Sequence, residues 1–249
     1  FESQGLDFRL GYSPTDKTRW ELAGRFQDTT SGRAGGLGAA PGAPWLTVTE
    51  DPIREQYLKI GVESKELGAA ADLFDASLYV RRLETDIYQK NATAANGTLA
   101  AVTVNQHIKV DAPTVLGGRM NATKAIGDHL LGYGTDFYHE NFNSRSAQTT
   151  RTSTATGAVQ STTSWSPMER GSEQTNIGFY VNDDWKIAPA FTLSGALRWD
   201  YIKTSIDPNP IAGESATVTS AINRAGLDRI DRPLTGSLGG VWDLTEQWS

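Results

Sequence analysis

The chain has 249 residues and no cysteine, and 23 basic against 29 acidic side chains give it a formal net charge of −6. Disulfide scaffolds, thiolate zinc sites, iron–sulfur clusters and cysteine nucleophiles are thereby excluded, and the acidic balance argues against a nucleic-acid partner. Hydrophobic residues make up 38% of the chain at a mean hydropathy of −0.41, and no apolar run approaches the roughly 18 residues of a helical span, which excludes a helical membrane protein but not a β-barrel.

Period-two alternation recurs from end to end and predicts strands. A short connection at 14–17 opens the series. EQYLKIGVES then sets Leu58, Ile60 and Val62 on one side. A turn at 64–71 leads to DLFDASLYVRR, with Phe74, Ala76, Leu78 and Val80 aligned, and a turn at 124–129 precedes HLLGYGTDFYHENF. There Leu131, Tyr133, Thr135 and Phe137 alternate with Leu130, Gly132, Gly134, Asp136 and Tyr138. NIGFYVNDDW places Ile177, Phe179, Val181 and Trp185 together, and after a turn at 186–190, AFTLSGALRWDY does the same with Phe191, Leu193, Leu197, Trp199 and Tyr201. A last short turn is predicted at 244–247.

Between these turns fall long connections at about 28–52, 83–112, 143–173 and 203–233, each on the order of 25–30 residues. Short turns alternating with long loops put all the short ones at one end of the strands, which is the plan of an outer-membrane barrel. The loops are rich in Gly, Ala, Ser and Thr, as in QDTTSGRAGGLGAAPGAP, and are expected to be mobile unless a ligand or partner holds them. A soluble β-sandwich also alternates. The barrel is favoured by the strict up-and-down order, by aromatics at the stripe ends (Trp20, Trp185, Trp199, Tyr201, Trp242, Trp248), and by mid-strand charges such as Arg119, Asp136 and Arg198. The expected fold is all-β, an antiparallel up-and-down transmembrane barrel of about 9–10 strands. Leu78, Phe137, Phe179, Val181, Leu193, Leu197, Trp199 and Leu238 should face lipid, and Asp136, Asp184, Arg198 and Asp200 the lumen.

Residues 176–205, NIGFYVNDDWKIAPAFTLSGALRWDYIKTS, resemble adjacent barrel strands of TonB-dependent outer-membrane receptors. Gly178, Tyr180, Asp183, Trp185, Thr192, Leu193, Gly195, Arg198, Trp199 and Asp200 occupy the family's loose pattern, with one extra residue between Gly195 and Arg198. LTGSLGGVWDLTEQWS, residues 234–249, is similar to the following hairpin, and HLLGYGTDFYHENFNSR to an earlier strand. The resemblance implies a Gram-negative outer-membrane receptor for energy-coupled uptake of a scarce ligand, a ferric siderophore or haem. It further implies a 22-stranded barrel with a plug domain through which the TonB energy-coupling protein acts. Neither the plug nor the aromatic C-terminal strand is recognised here, and Phe1 is not an initiator methionine, so 1–249 is expected to be a middle segment of the barrel domain. Membrane lipid and lipopolysaccharide are the expected surroundings.

Candidate ligand contacts are His107 and Trp165 in long loops and His139 beyond the apolar part of its strand; surface roles compete for each. Trp185, Trp199, Tyr201 and Trp242 are the candidate lipid-interface aromatics. His129 lies in a short turn and is given no role. Asp72 with Asp75 and Asp183 with Asp184 lack calcium-loop spacing. Arg81, Arg82, Arg119 and Arg198 suit structural pairing or an anionic ligand. No metal site, cofactor or catalytic residue is expected. The alternatives are a passive porin or adhesin, and an outer-membrane hydrolase, for which no nucleophile motif accompanies a histidine.

Overall fold

The computed structural model describes residues 1–34, 45–93, 101–154, 157–167, 170–211, 214–225 and 227–243. Their elements are β1 (Glu2–Tyr12), β2 (Thr18–Ala34), β3 (Trp45–Lys65), β4 (Leu73–Thr93), β5 (Ala101–Ile126), β6 (His129–Phe142), β7 (Ser144–Thr154), β8 (Gly157–Thr162), β9 (Ser166–Pro167), β10 (Ser172–Ala188), β11 (Phe191–Ile206), helix α1 (Ala216–Ala225), β12 (Asp228–Asp231) and β13 (Leu234–Trp242). One antiparallel sheet runs β1-β2-β3-β4-β5-β6-β10-β11, with β12 and β13 both on β11. The nine long strands β1–β6, β10, β11 and β13 form the expected meander, and the short turns share one end. The expected turn at 244–247 and Trp248 lie outside the described residues.

Local chemistry sets the turns. Gly127 and Asp128 alone join β5 to β6, and Gly127 has φ 59°. With φ positive at Gly127 but not at Asp128, the turn is of type II′, whose twist matches the strands it joins. In the β3–β4 turn, Asp72 accepts from the Lys124 ammonium (2.6 Å) and the Ala125 amide (2.8 Å). Those bonds, the ammonium first, hold its carboxyl below the ordinary carboxylate range.

Three of the long connections are shorter than the sequence implied. β2 and β3 stay paired out to Ala34–Thr47, and β4 and β5 to Thr93–Val102, so most of 28–52 and 83–112 is strand. Segment 143–173, expected to lack order of its own, contains β7, which pairs with the outer half of β5, and the short strands β8 and β9 on it. Above the membrane neither side of a strand need be apolar, so alternation vanishes while backbone pairing continues. Within 203–233 lies α1, which the sequence reading missed; Ser215 caps it, its Oγ accepting from the Val218 amide at 3.2 Å.

The sheet has almost no dry core. Among the described residues only Ala71, Ile108 and Ala122 are buried apolar side chains. Leu22, Ile60, Leu78, Phe137, Phe179, Val181, Leu197 and Leu238 instead cover one side of a single layer and are exposed. An apolar face of this extent is stable only against a nonaqueous neighbour. Trp20, Trp185, Trp199 and Trp242 lie on the same side, with Phe179 against Trp199 at 6.0 Å and Phe191 against Trp242 at 6.3 Å.

The stripe crosses the ladder obliquely. Following the register from Trp20 through Val62, Ala76, Met120 and Thr135 arrives at Phe179, six residues short of Trp185, the corresponding aromatic five strands away. At about 3.3 Å per residue and 4.8 Å per strand, a belt of constant height through both tryptophans requires strands tilted by roughly 40°. That is the tilt of membrane barrels.

Candidate functional site

The opposite side of the sheet is polar, and charges on neighbouring strands grip one another there. Arg198 on β11 donates from Nη1 and Nη2 to both oxygens of Asp136 on β6 (2.7 and 3.0 Å). Its Nε and Nη2 also reach Asp200 (2.9 and 2.6 Å), so one planar fork holds two carboxylates. The guanidinium lies across Gly178, where any Cβ would collide with it. Tyr180 lies likewise across Gly134 and donates to Asn121, whose Nδ2 donates to Asp75 (2.9 Å). Tyr79 covers Gly117 in the same way. Asp136, Arg198 and Asp200 thus stand on the expected side; Asp184 joins them, accepting from Ser194.

Further along this inner wall, Arg9, Arg25 and Arg81 surround a basin of about 730 Å³ with Asp7, Glu55 and Tyr57. Arg25 pairs with Asp7 (2.7 Å), Arg81 with Glu55 (2.8 Å) and Arg9 with Glu21 (3.4 Å). Each guanidinium keeps spare donors, and about half or more of each Arg side chain is exposed. The sequence reading named Arg81 but missed the basin. Its signal was present in the polar alternate positions of DFRLGY and EQYLKIG, which only the register brings together.

His107 and Trp165, proposed separately, meet. The His107 ring stacks on Tyr88 at 4.3 Å and meets Trp165 edge-on at 4.8 Å, and Arg145 sits 5.5 Å over that indole. His107 Nε2 stands 3.4 Å from Asp86. Alternation along β4 places Tyr88 and Asp86 on the side of Leu78 and Val80, the outer side, beyond the apolar belt. His139 also faces outward, with Nδ1 2.9 Å from the Thr175 hydroxyl, and so does not point into the lumen. His129 is not a bare turn residue: it stacks on Trp185 and bonds to Asp183 at 2.7 Å. Asp72, Asp75, Asp183 and Asp184 each have a different partner, and no cluster of three metal-ligating side chains occurs among the described residues.

At the same end, Arg170 fastens the outer connections. Its Nε and Nη2 donate to both oxygens of Glu214 (2.8 and 2.7 Å), while Nη1 reaches the carbonyls of Asp207 and Pro208. Thr219 on α1 adds a bond to Glu214 (2.6 Å). The Arg170 fork, with Thr219 second, lowers the Glu214 pKa from an ordinary 4.5 to about 2. A depressed carboxyl stabilises the fold fully above its unfolded value and loses that contribution as pH falls towards the folded one. The 207–214 segment should therefore hold at neutral pH and loosen between about pH 4.5 and 2, seen as rising mobility of a spin label at Asn209. Arg170→Gln should give the loosened spectrum at every pH; unchanged spectra throughout would show that this pair fastens nothing.

A single sheet with an apolar, tryptophan-edged outside, a charged inside and tilted strands with short turns at one end is the wall of an outer-membrane-type β-barrel. The chain belongs to the TonB-dependent receptor-like β-barrel family, which it matches over residues 3–249, a family of Gram-negative outer-membrane receptors and transporters. Among solved structures it is similar to the copper transporter OprC (16% identity, TM-score 0.62) and to the ferric citrate transporter FecA in the unliganded form (12%, TM-score 0.51). Each alignment covers 98% of this chain and 34% of the other, so the chain spans about a third of the length of these relatives. Identities this low establish the shared fold alone. No curated protein sequence matches it.

Proposed function

We propose that these strands are part of the barrel wall of a receptor that takes up a scarce ligand, a ferric siderophore, another ferric chelate or haem, across the outer membrane. On this reading residues 1–249 are a segment of the barrel domain, and TonB acts through a plug supplied elsewhere in the receptor. The observation that carries it is the inner-wall basin, where three arginines, each paired with one carboxylate and each keeping unused donors, face the lumen side by side. A ferric chelate or haem brings carboxylate or other anionic oxygens that a guanidinium fork recognises. The relatives' cargoes, copper and ferric citrate, belong in the same test. His107 and Trp165 serve as a first contact at the outer surface, ahead of the lumen.

The experiment is uptake of labelled ferric citrate, a ferric siderophore, haem and copper by cells carrying the full receptor as their sole candidate transporter. One of these ligands should show saturable uptake that a protonophore abolishes. Arg25→Ala with Arg81→Ala should raise its half-saturation about tenfold or more, the effect of losing charge-assisted bonds. Trp165→Ala should raise it less. Linear, protonophore-insensitive uptake of every ligand would instead make the barrel a passive pore.

A further inference from the structure

On the inner wall the chemistry changes above the arginine basin. Partners across a ladder share a side, so Val115 faces the lumen opposite Arg81, Leu83 opposite Glu55, Ile53 and Val110 to either side of Thr85, and Ile108 opposite Ile87. These aliphatic side chains form one strip along β4 and β5, with Ile53 at its edge; Ile108 is buried and the others are half-buried. On its outer side the same stretch of β4 carries Arg82, Glu84, Asp86 and Tyr88. Through the membrane the wall is apolar outside and charged inside. Here the two are exchanged, so lipid does not account for the apolar side.

The strip has definite bounds. From Arg81 to Ile87 it runs about 20 Å along the strand, and it is two strands wide, about 5 Å between backbones. Glu55 and Glu50 flank it on β3, Glu140 stands beside Val115 on β6, and Ser144 and Ser146 flank it on β7. Across its far end runs a row of amides, Gln89, Gln106 and Gln148, one on each of β4, β5 and β7. Its near end meets Arg81, which also lines the basin.

We infer that the ligand is a ferric chelate carrying an acyl chain, with its anionic oxygens on the basin arginines and the chain laid along this strip. The inference deepens the uptake reading above and rests on it. The length suits one whole chain, since two chains end to end make the roughly 30 Å core of a bilayer. The width speaks against haem, whose macrocycle is broader than two strands and would lie over the flanking glutamates. Nor would haem iron meet an imidazole here: His107 and His139 face outward, and His129 stacks on Trp185 of the outer side. A compact chelate such as ferric citrate would leave the strip against water, whereas an acyl chain removes apolar surface from water on both partners.

The test is uptake by cells carrying the full receptor as their sole candidate transporter, its folding confirmed by heat-modifiable gel migration. The probes are haem and two labelled ferric dihydroxamate chelates on a citrate scaffold, alike but for a dodecanoyl group in one and an acetyl group in the other. Half-saturation for the dodecanoyl chelate should lie about tenfold or more below that for the acetyl chelate, with haem the poorest of the three. Leu83→Gln with Ile87→Gln should bring the ratio of the two chelates close to one. Val110→Thr, which adds only a hydroxyl to the strip, should reduce the ratio severalfold, so it decides the matter even where the double variant does not fold. A ratio near one in the wild type, or haem taken up best, would overturn the inference. So would a ratio unchanged in Val110→Thr and in any folded double variant, which would place the chain in the membrane and not on the wall. Linear, protonophore-insensitive uptake of every probe would refute the transport reading itself; saturable, protonophore-sensitive uptake with a ratio near one would refute only the acyl chain.

Discussion

Replacing Leu197 by arginine should destabilise the folded barrel by about 2–4 kcal/mol, the cost of a cation on the lipid face near mid-membrane. Leu197 is half exposed on the outer side, opposite Val181 on one neighbour and Gly236 on the other, and nothing there can pair with a guanidinium. Ser194, three residues earlier, faces inward and donates to Asp184. Arginine at Ser194 meets that carboxylate and polar surroundings, so its cost should be under about 1 kcal/mol. Denaturant titrations of the full receptor in lipid vesicles would read both. Equal losses at the two positions would reverse the assignment of sides.

Arg198→Ala should be the most damaging substitution on the inner wall. It strands Asp136 and Asp200 beside each other, each having faced the same fork. Uncompensated buried charge costs about 3–5 kcal/mol; with Arg198 and Asp136 each about one-third exposed, solvent screening reduces the expectation to roughly 2 kcal/mol. Asp136→Asn in the same chain should recover part of the loss, and the double-mutant cycle should give a coupling of about 1 kcal/mol. Strictly additive effects would mean that the three charges stand together without holding one another.

Legibility from sequence followed the solvent. Where one side of a strand meets lipid and the other does not, period two is written into the residue types, and the membrane parts of β4, β10 and β11 were found, although β10 and β11 run three to five residues further at their ends. Beyond the membrane both sides are wet, and β2, β4 and β5 run on unseen, because their pairing is backbone chemistry that residue types hardly mark. β7 and β8 hid for the same reason inside a Ser/Thr-rich stretch. Helix α1 left only Ser215 as a cap and the pair Val218 and Ile222 at helical spacing, too little against a loop background. The inner-wall clusters were half legible: Arg198, Asp200 and Asp136 were assigned the right side, but 62 residues separate Asp136 from its partner. Only the register joins them. For His139 the sequence told its place along the strand but not its side, which the register with Thr175 and Leu116 supplies.

The glycines beneath Tyr79, Tyr180 and Arg198 set the relief of the inner surface. A side chain that folds down onto Gly117, Gly134 or Gly178 lies along the wall and does not stand out from it. Large residues thus add little height at these places, and the bore keeps width it would otherwise lose to rings and guanidinium groups. A surface so levelled interlocks weakly in shape with whatever lies against it and grips mainly through charge. Contacts of that kind can be exchanged one for another as an enclosed body shifts, without the steric barrier of knobs leaving holes.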